Sequence, residues 1–179
     1  IRRALNQRKD VIMADRCSAS ITIGGKLAAA DLPQLLTAIS DEGLSTEFDG
    51  PTFELTELVS GEPLLLCAHE VSWGTFTELE AFCRTHKLAY TRWTGMCAGV
   101  WGCFRTVYRG AAETREGDDA VDEYDVSEDD QILIGEQLAH RLGSFRAIAD
   151  HFVRAAFAVP PLVIVASGPE QREPIAPRA

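Results

Sequence analysis

The chain has 179 residues, of which 46% are hydrophobic and 25% are charged. This balance predicts a globular protein that buries one sizeable core. No apolar run approaches the roughly 20 residues that span a bilayer, and the longest, 159–166, contains two prolines. Composition therefore gives no reason to expect a membrane partner.

The net charge of −10 is concentrated in one stretch of the chain. Ten acids and one arginine lie between residues 113 and 130. Because this stretch has no apolar period, we predict a flexible acidic loop over 111–130. An acidic block can mimic nucleic acid for a basic partner, but a solubilising connector is the simpler interpretation. The remainder of the chain is nearly neutral.

The two ends of the chain are predicted to lie outside the fold. Residues 1–12 are polar and basic, without the apolar run of a secretory signal. Met13 is a candidate natural start, so 1–16 reads as a non-native or disordered extension, and the Pro-rich 167–179 reads as a disordered tail. Five cysteines at irregular spacing predict free thiols and a cytoplasmic location. Fourteen arginines against three lysines indicate a GC-rich bacterial gene.

The first third of the chain predicts a strand, a helix and a second strand. Polar and apolar residues alternate over 18–23, as in a half-buried strand. Asp31 followed by Gln34 predicts a capping box that starts a helix. Residues 44–48 read as a short strand before a turn signal, and 52–60 reads as a short helix.

A similar succession follows in the next part of the chain. Residues 64–71 predict a strand that is apolar on both faces, and Thr75 with Glu78 predicts a capping box for a second helix. Strands over 88–93 and 103–109 follow, separated by a glycine-rich loop.

The order of these elements predicts the fold class. The pattern of 20–44 recurs weakly at 64–88, about 44 residues later. Each copy reads as β-α-β, and two such units predict an α+β fold with a ferredoxin-like β-α-β-β-α-β sheet. The strand at 103–109 extends this sheet, so 17–110 is predicted as a duplicated core with an added strand.

The C-terminal part predicts a helical pair. Residues 131–134 suggest a short edge strand and 135–142 a helix, while 162–165 reads as an extended strand. Ser144 is the expected N-cap of a second helix. Its apolar stripe contains Phe145, Ile148, Ala149, Phe152, Val153 and Ala156. Such a stripe predicts a buried face, so we expect 131–166 to pack on the core.

The strands on either side of the glycine-rich loop carry a candidate binding surface. Its members are Tyr90, Arg92, Trp93, Trp101, Arg105 and Arg109. If the faces of the two strands coincide, the sheet presents an aromatic and cationic surface. Such residues stack on bases and contact phosphates, and they also anchor protein interfaces. Because an acidic protein matches nucleic acid poorly, the pattern favours a protein partner.

A second candidate is a reactive or metal site. Its members are Cys67, His69, Glu70, Cys97 and Cys103. Gly95 and Gly99 around Cys97 match a nucleophile elbow, although a strand rather than a helix follows. Cys67 and His69 share a strand face, but zinc sites usually combine two close ligand pairs. The alternatives are a hairpin loop, small buried thiols and a solvated strand end at His69.

No coherent catalytic set emerges from these residues. We therefore expect a small non-catalytic protein that holds a protein partner, without a cofactor. A thiol- or metal-dependent enzyme centred on Cys97 and His69 is the first alternative. Single-stranded nucleic-acid binding is the second. A helix-turn-helix over 137–151 is better explained as two helices packed on the sheet.

Overall fold

The computed structural model describes residues 15–110 and 121–166, which form an α+β fold. The strands are β1 (Arg16–Ala28), β2 (Leu64–Ser72), β3 (Ala89–Thr94), β4 (Phe104–Tyr108), β5 (Asp122–Asp125) and β6 (Leu162–Val165). The α-helices of this described part are α1 (Leu32–Asp41), α2 (Thr77–Thr85), α3 (Glu136–Leu142) and α4 (Phe145–Ala155). Three predicted segments lie wholly or partly outside the described residues. They are the extension up to residue 14, the first part of the acidic loop (111–120) and the tail (167–179).

The sheet is open and largely antiparallel. Its strand order is β2-β1-β3-β4-β5, and β6 pairs in parallel with Gly25–Ala28 of β1. The 13-residue β1 is therefore central, because it pairs with three other strands. The predicted strands around 18–23, 64–71, 88–93 and 103–109 are confirmed as parts of β1 to β4.

The ferredoxin-like arrangement is not confirmed, because the observed strand order differs from it. The predicted strand at 44–48 forms only one bridge, between Ser45 and Cys67. The Ser45 hydroxyl donates to the Glu47 carbonyl at 2.6 Å, and the Gly50 N–H donates to the same carbonyl at 3.0 Å. These local bonds turn the chain and compete with a strand ladder.

Three further expectations need correction. The predicted helix at 52–60 is a single 3-10 turn, Leu55–Glu57, and the predicted edge strand at 131–134 is one bridge between Val126 and Ile132. The acidic stretch is not a loop throughout, because Asp122–Asp125 forms β5 against β4. Cross-strand pairing with a neighbour decided the last two of these segments, and a single strand's pattern does not report it.

Two of the three predicted helix caps do not form, and a tertiary contact replaces one of them. Asp31 ends a 3-10 turn and its side chain makes no capping bond. Thr75 donates to the Trp73 carbonyl instead, while Glu42 accepts two backbone N–H groups in the first turn of α2 at 2.7 and 3.1 Å. Only the Ser144 cap is confirmed, by the N–H of Ala147 at 3.2 Å.

The main core lies between one face of the sheet and the helices α1 and α2. Ile21 and Ile23 of β1 are fully buried there, in one cluster with Leu35 of α1 and Leu79 of α2. We call this side the helix face. The opposite side, which carries the half-buried Ser18, is called the second face.

The apolar stripe of α4 is not buried on this core, contrary to expectation. Phe145, Phe152 and Val153 are exposed, and Ala155 is the one buried residue of the helix. Ala155 packs with Val107 and Tyr124 in a small separate cluster. The helix therefore meets the sheet through its C-terminal end.

A buried ion pair ties α2 to the sheet. The Arg92 Nε lies 2.9 Å from the Glu80 Oε1, and the two residues are only 4% and 5% exposed. The guanidinium also donates to Thr94 at 2.9 Å, to Thr106 at 2.8 Å and to the Gly74 carbonyl. Buried charges are tolerated when each is paired and hydrogen-bonded in this way.

Removing one member of this pair should be far more damaging than removing both. Glu80→Leu leaves the Arg92 charge buried without a counter-charge, which costs about 3–5 kcal/mol of unfolding free energy. Glu80→Leu combined with Arg92→Met should recover part of that loss. Urea unfolding measures both, with Glu78→Leu on the exposed side of α2 as the control. A Glu80→Leu protein as stable as the wild type would contradict the role of the pair.

Candidate functional site

The predicted binding surface is divided between the two faces of the sheet. The register pairs Arg92 with Thr106 and Trp93 with Arg105. Because paired residues share a face and successive residues alternate, Arg92 lies on the helix face and Arg105 on the second face. The expectation that the two strands present these arginines together is wrong. A register shift of one residue reverses every side chain, and sequence did not determine the register.

Tyr90 and Arg92 lie inside the protein beneath α2. The Tyr90 hydroxyl donates to the Glu80 Oε2 at 3.0 Å and accepts from Arg84 at 3.2 Å. Burial, followed by the nearby Glu80 carboxylate, raises the pKa of Tyr90 well above its usual value. These two members of the predicted surface therefore hold a helix in place and are not available to an external partner.

Arg105 and Arg109 contact the C-terminal end of α4. Arg105 donates to the Ala155 carbonyl at 3.1 Å, and Arg109 donates to the Arg154 carbonyl at 2.8 Å. Cations at a helix C-terminus satisfy the last carbonyls and oppose the negative end of the helix dipole. Arg105 also donates to Asp130 at 3.0 Å. The ligand of these two arginines is thus a helix of the same chain.

Asp122 joins β5 to the same helix. It forms ion pairs with Arg109 and, at 3.0 Å, with Arg154, and it accepts from the Tyr124 hydroxyl at 3.2 Å. Burial by itself raises the pKa of Asp122, but the hydrogen bonds from the two arginines outweigh it and hold that pKa below its usual value. Part of the acidic stretch therefore has a structural role.

The contacts that the described structure shows for the predicted cysteines are not with His69. Cys67 is buried and its thiol donates to the Ser45 carbonyl at 3.5 Å. The half-buried Cys97 and the buried Cys103 lie near Cys17, which the sequence did not single out. Burial, and then the neighbouring thiol of Cys97, raises the pKa of Cys17, which disfavours a reactive thiolate there. Over 15–110 and 121–166, no group of three or more His, Cys, Asp or Glu is arranged to hold a metal ion.

His69 has a different neighbour from the one expected. Its Nδ1 lies 2.7 Å from the Ser18 Oγ, and its Nε2 lies 3.7 Å from the Asp49 carboxylate. Phe48 stacks on the ring, with centroids 4.7 Å apart. The adjacent Glu70 has a φ of +57° and does not join this contact. A Ser-His contact between two strands depends on their register, so no local motif could have revealed it.

Exposed apolar side chains lie directly after β2 and on the 95–103 loop. Trp73 is 49% exposed, Met96 is 54% exposed and Val100 is 55% exposed. The ring centroids of Trp73 and Trp101 are 5.9 Å apart, and Trp101 donates to the Gly95 carbonyl at 3.1 Å. We call Trp73, Met96, Val100 and Trp101 the aromatic corner.

The backbone at this corner is strained. Trp73 has a φ of +58°, a conformation that bulky residues seldom adopt. Gly74 follows with a φ of +61°, and a Cβ there would lie 2.2 Å from the Thr94 side chain. Glycine is thus required next to a tryptophan that would be more stable in another conformation. Strain of this kind persists where the surrounding structure imposes it, and it clusters at functional sites.

Comparison with other proteins names no function for these sites. No protein-family model, curated protein or solved structure matches the chain. None of the helices within 15–110 and 121–166 is long and apolar enough to cross a membrane.

The Asp122 cluster should make stability fall in acid. A carboxyl whose folded-state pKa lies below its unfolded value, about 3.9, stabilises the fold above that value and loses the effect as pH falls through the folded pKa. Thermal unfolding at pH 6 and at pH 3 should show a smaller decrease for Asp122→Asn than for the wild type. Asp125→Asn, an exposed neighbour in β5, should behave as the wild type. An equal decrease in Asp122→Asn would contradict this role.

Proposed function

We propose that the chain is a non-catalytic binding protein that holds a protein partner at the aromatic corner. The observation that supports this most is Trp73, which is half exposed and held at a φ of +58°. In the isolated chain, Trp73 contacts Trp101 but keeps half of its surface in water at a strained φ. Its retention is explained if the ring serves an interface, where Trp is among the commonest hot-spot residues.

The neighbours of Trp73 suit the same use. Met96 and Val100 add exposed apolar surface on the loop that carries Trp101. Met and aromatic residues are enriched at interfaces, and Met adapts its shape to irregular partners. The contact between the two tryptophans orients both rings before a partner arrives, which lowers the entropy lost on binding.

The charge of the chain indicates the chemistry of that partner. At the corner itself the exposed Glu70 lies three residues before Trp73, while most of the net charge of −10 lies between residues 113 and 130. Arg16, a cation of the same strand end, is engaged by the Glu70 carbonyl at 2.6 Å. Electrostatic complementarity therefore favours a basic partner that presents apolar side chains.

Of the binding surface predicted from the sequence, Trp101 is the member that takes part in this proposal. Trp93 is half-buried and its Nε1 donates to the Ser127 carbonyl at 3.4 Å. Arg92, Arg105 and Arg109 each lie beside a carboxylate of the same chain. Nucleic-acid binding at these arginines is not proposed, because phosphates would have to displace those carboxylates.

Five free cysteines support a reducing, cytoplasmic location.

Trp73→Gly should abolish binding without loss of stability. Glycine adopts a positive φ freely, so the substitution relieves the strain while it removes the ring. When a random peptide library is selected for binding to the wild-type protein, the bound peptides should be basic and apolar. A selected peptide should bind the variant at least about thirtyfold more weakly, as for a hot-spot residue, and urea unfolding should show unchanged or higher stability.

Leu55→Ala is the matched control, since Leu55 is an exposed apolar residue in a separate turn. It should bind the selected peptide as the wild type does. A peptide that binds Trp73→Gly and the wild type equally, or a library that yields no binder, would count against the proposal.

A second candidate function is favoured by the Ser18–His69 contact. We propose that Ser18 is a nucleophile towards small esters and that His69 is its base, in place of the expected Cys97. The Asp49 carboxylate beside Nε2 favours the tautomer protonated there, which leaves Nδ1 to accept the Ser18 proton. That proton then passes to the leaving alcohol, and water releases the acid from the acyl-serine.

A fluorophosphonate probe tests this candidate directly. We expect labelling of Ser18, detected by peptide mass spectrometry, and its loss in Ser18→Ala and His69→Ala. Ser20→Ala, on the same face of β1, should leave the labelling unchanged. A wild-type protein that the probe does not label would refute the candidate and leave the binding proposal unaffected.

A further inference from the structure

A cavity of about 420 Å³ lies between β5, residues 101–104 and the helical hairpin of α3 and α4. Sites for small molecules have volumes of roughly 300–1,000 Å³, so this cavity is large enough for a ligand. It is lined by three aromatic side chains, Trp101, Phe104 and Tyr124, and by Leu138 of α3. Such walls favour a ligand with a flat ring, because aromatic rings gain from stacked and edge-to-face contacts.

Charged side chains of both signs line the same cavity. Glu123 and Asp125 belong to β5, and Arg141 belongs to α3, one turn after Leu138. All three charged residues are exposed, and none of them forms an ion pair within 15–110 and 121–166. Opposite charges that border one cavity without pairing are available to the two charged groups of a zwitterion.

Contacts within the chain hold the walls of the cavity together. Asp122, the neighbour of Glu123, forms an ion pair with Arg154 of α4 at 3.0 Å. The rings of Tyr124 and His151 lie 5.0 Å apart, and His151 lines the cavity from α4. The His151 Nε2 is buried and has no hydrogen-bond partner among the described residues, which is uncommon in native structures. The cavity is thus bordered by a further polar group without a partner.

We propose that this cavity binds an aromatic α-amino acid in its zwitterionic form. The ring packs among the three aromatic side chains. Arg141 binds the carboxylate, for which its planar pair of donors is suited. The carboxylates of Glu123 and Asp125 bind the ammonium group by charge-assisted hydrogen bonds.

A ligand with a single charge matches this cavity less well. An anion that pairs with Arg141 meets the carboxylates of Glu123 and Asp125, and a cation that pairs with those carboxylates meets Arg141. A like charge near the ligand is a means of rejecting it. A zwitterion gives each sign of charge a counter-charge. Trp101 also belongs to the aromatic corner, but the inference does not depend on the proposed function.

Isothermal titration calorimetry of the full chain with L-tryptophan, L-tyrosine and L-phenylalanine measures the binding. We expect at least one of them to bind with a dissociation constant below about 1 mM. The matching amine without the carboxylate (tryptamine for L-tryptophan) and the matching acid without the ammonium group (indole-3-propionate) should bind at least about tenfold more weakly. Binding of none of the three amino acids, or equal binding of amino acid, amine and acid, would overturn the proposal.

Charge-removing variants assign the two ends of the ligand. Arg141→Gln should weaken binding of the amino acid about tenfold and leave that of the amine no weaker. Glu123→Gln combined with Asp125→Asn should weaken binding of the amino acid and leave that of the acid no weaker. Arg146→Gln, an exposed arginine of α4 outside the cavity, is the matched control. Urea unfolding checks that each variant is folded. Folded variants that bind the amino acid as the wild type does would show that these charges do not hold it.

Discussion

The buried pair of Glu80 and Arg92 is the interaction on which the arrangement of this protein depends. It joins α2, one of the two helices packed on the helix face, to β3 and, through Thr106, to β4. The guanidinium also holds the Gly74 carbonyl, which follows directly after the strained Trp73. The same charge pair that positions α2 therefore also helps to hold the turn that exposes a tryptophan. A buried salt bridge contributes little net stability, but it penalises any packing that leaves its charges unpaired.

Arginines of the sheet hold helices in place on both of its faces. Arg92 secures α2 on the helix face, while Arg105 and Arg109 secure the C-terminus of α4 on the second face. Residues that are typical of interfaces with other molecules are thus used between elements of one chain. The consequence is an α4 that is fixed at its end by polar contacts. Its apolar stripe is not needed for that attachment and remains exposed.

Two surfaces result, and they differ in physical character. The aromatic corner contains a contact between two tryptophans beside a required glycine. The α3–α4 hairpin is a short helical unit whose exposed residues follow a regular spacing. The Ser18–His69 contact lies on the second face and is independent of both surfaces.

Local pattern was sufficient for the α+β class, for β1 to β4 and for the Ser144 cap, because these depend on residues close together in the chain. It also indicated Trp101 and the strands on either side of its loop as a candidate binding region. Local pattern was wrong at 44–48, where hydrogen bonds of the Ser45 turn formed instead of a strand. It was also wrong at Asp31 and Thr75, where the predicted caps did not form. Glu42 instead accepts the backbone N–H groups in the first turn of α2.

The tertiary structure alone decided which residues meet. The register of β3 and β4 sent Arg92 and Arg105 to opposite faces, and the pairing of β1 and β2 brought Ser18 to His69. The amphipathic pattern of α4 was evident from its sequence, but the pattern is the same whether the partner is the core or another molecule. Only the position of the helix, set by two arginines at its end, showed that its apolar face is exposed.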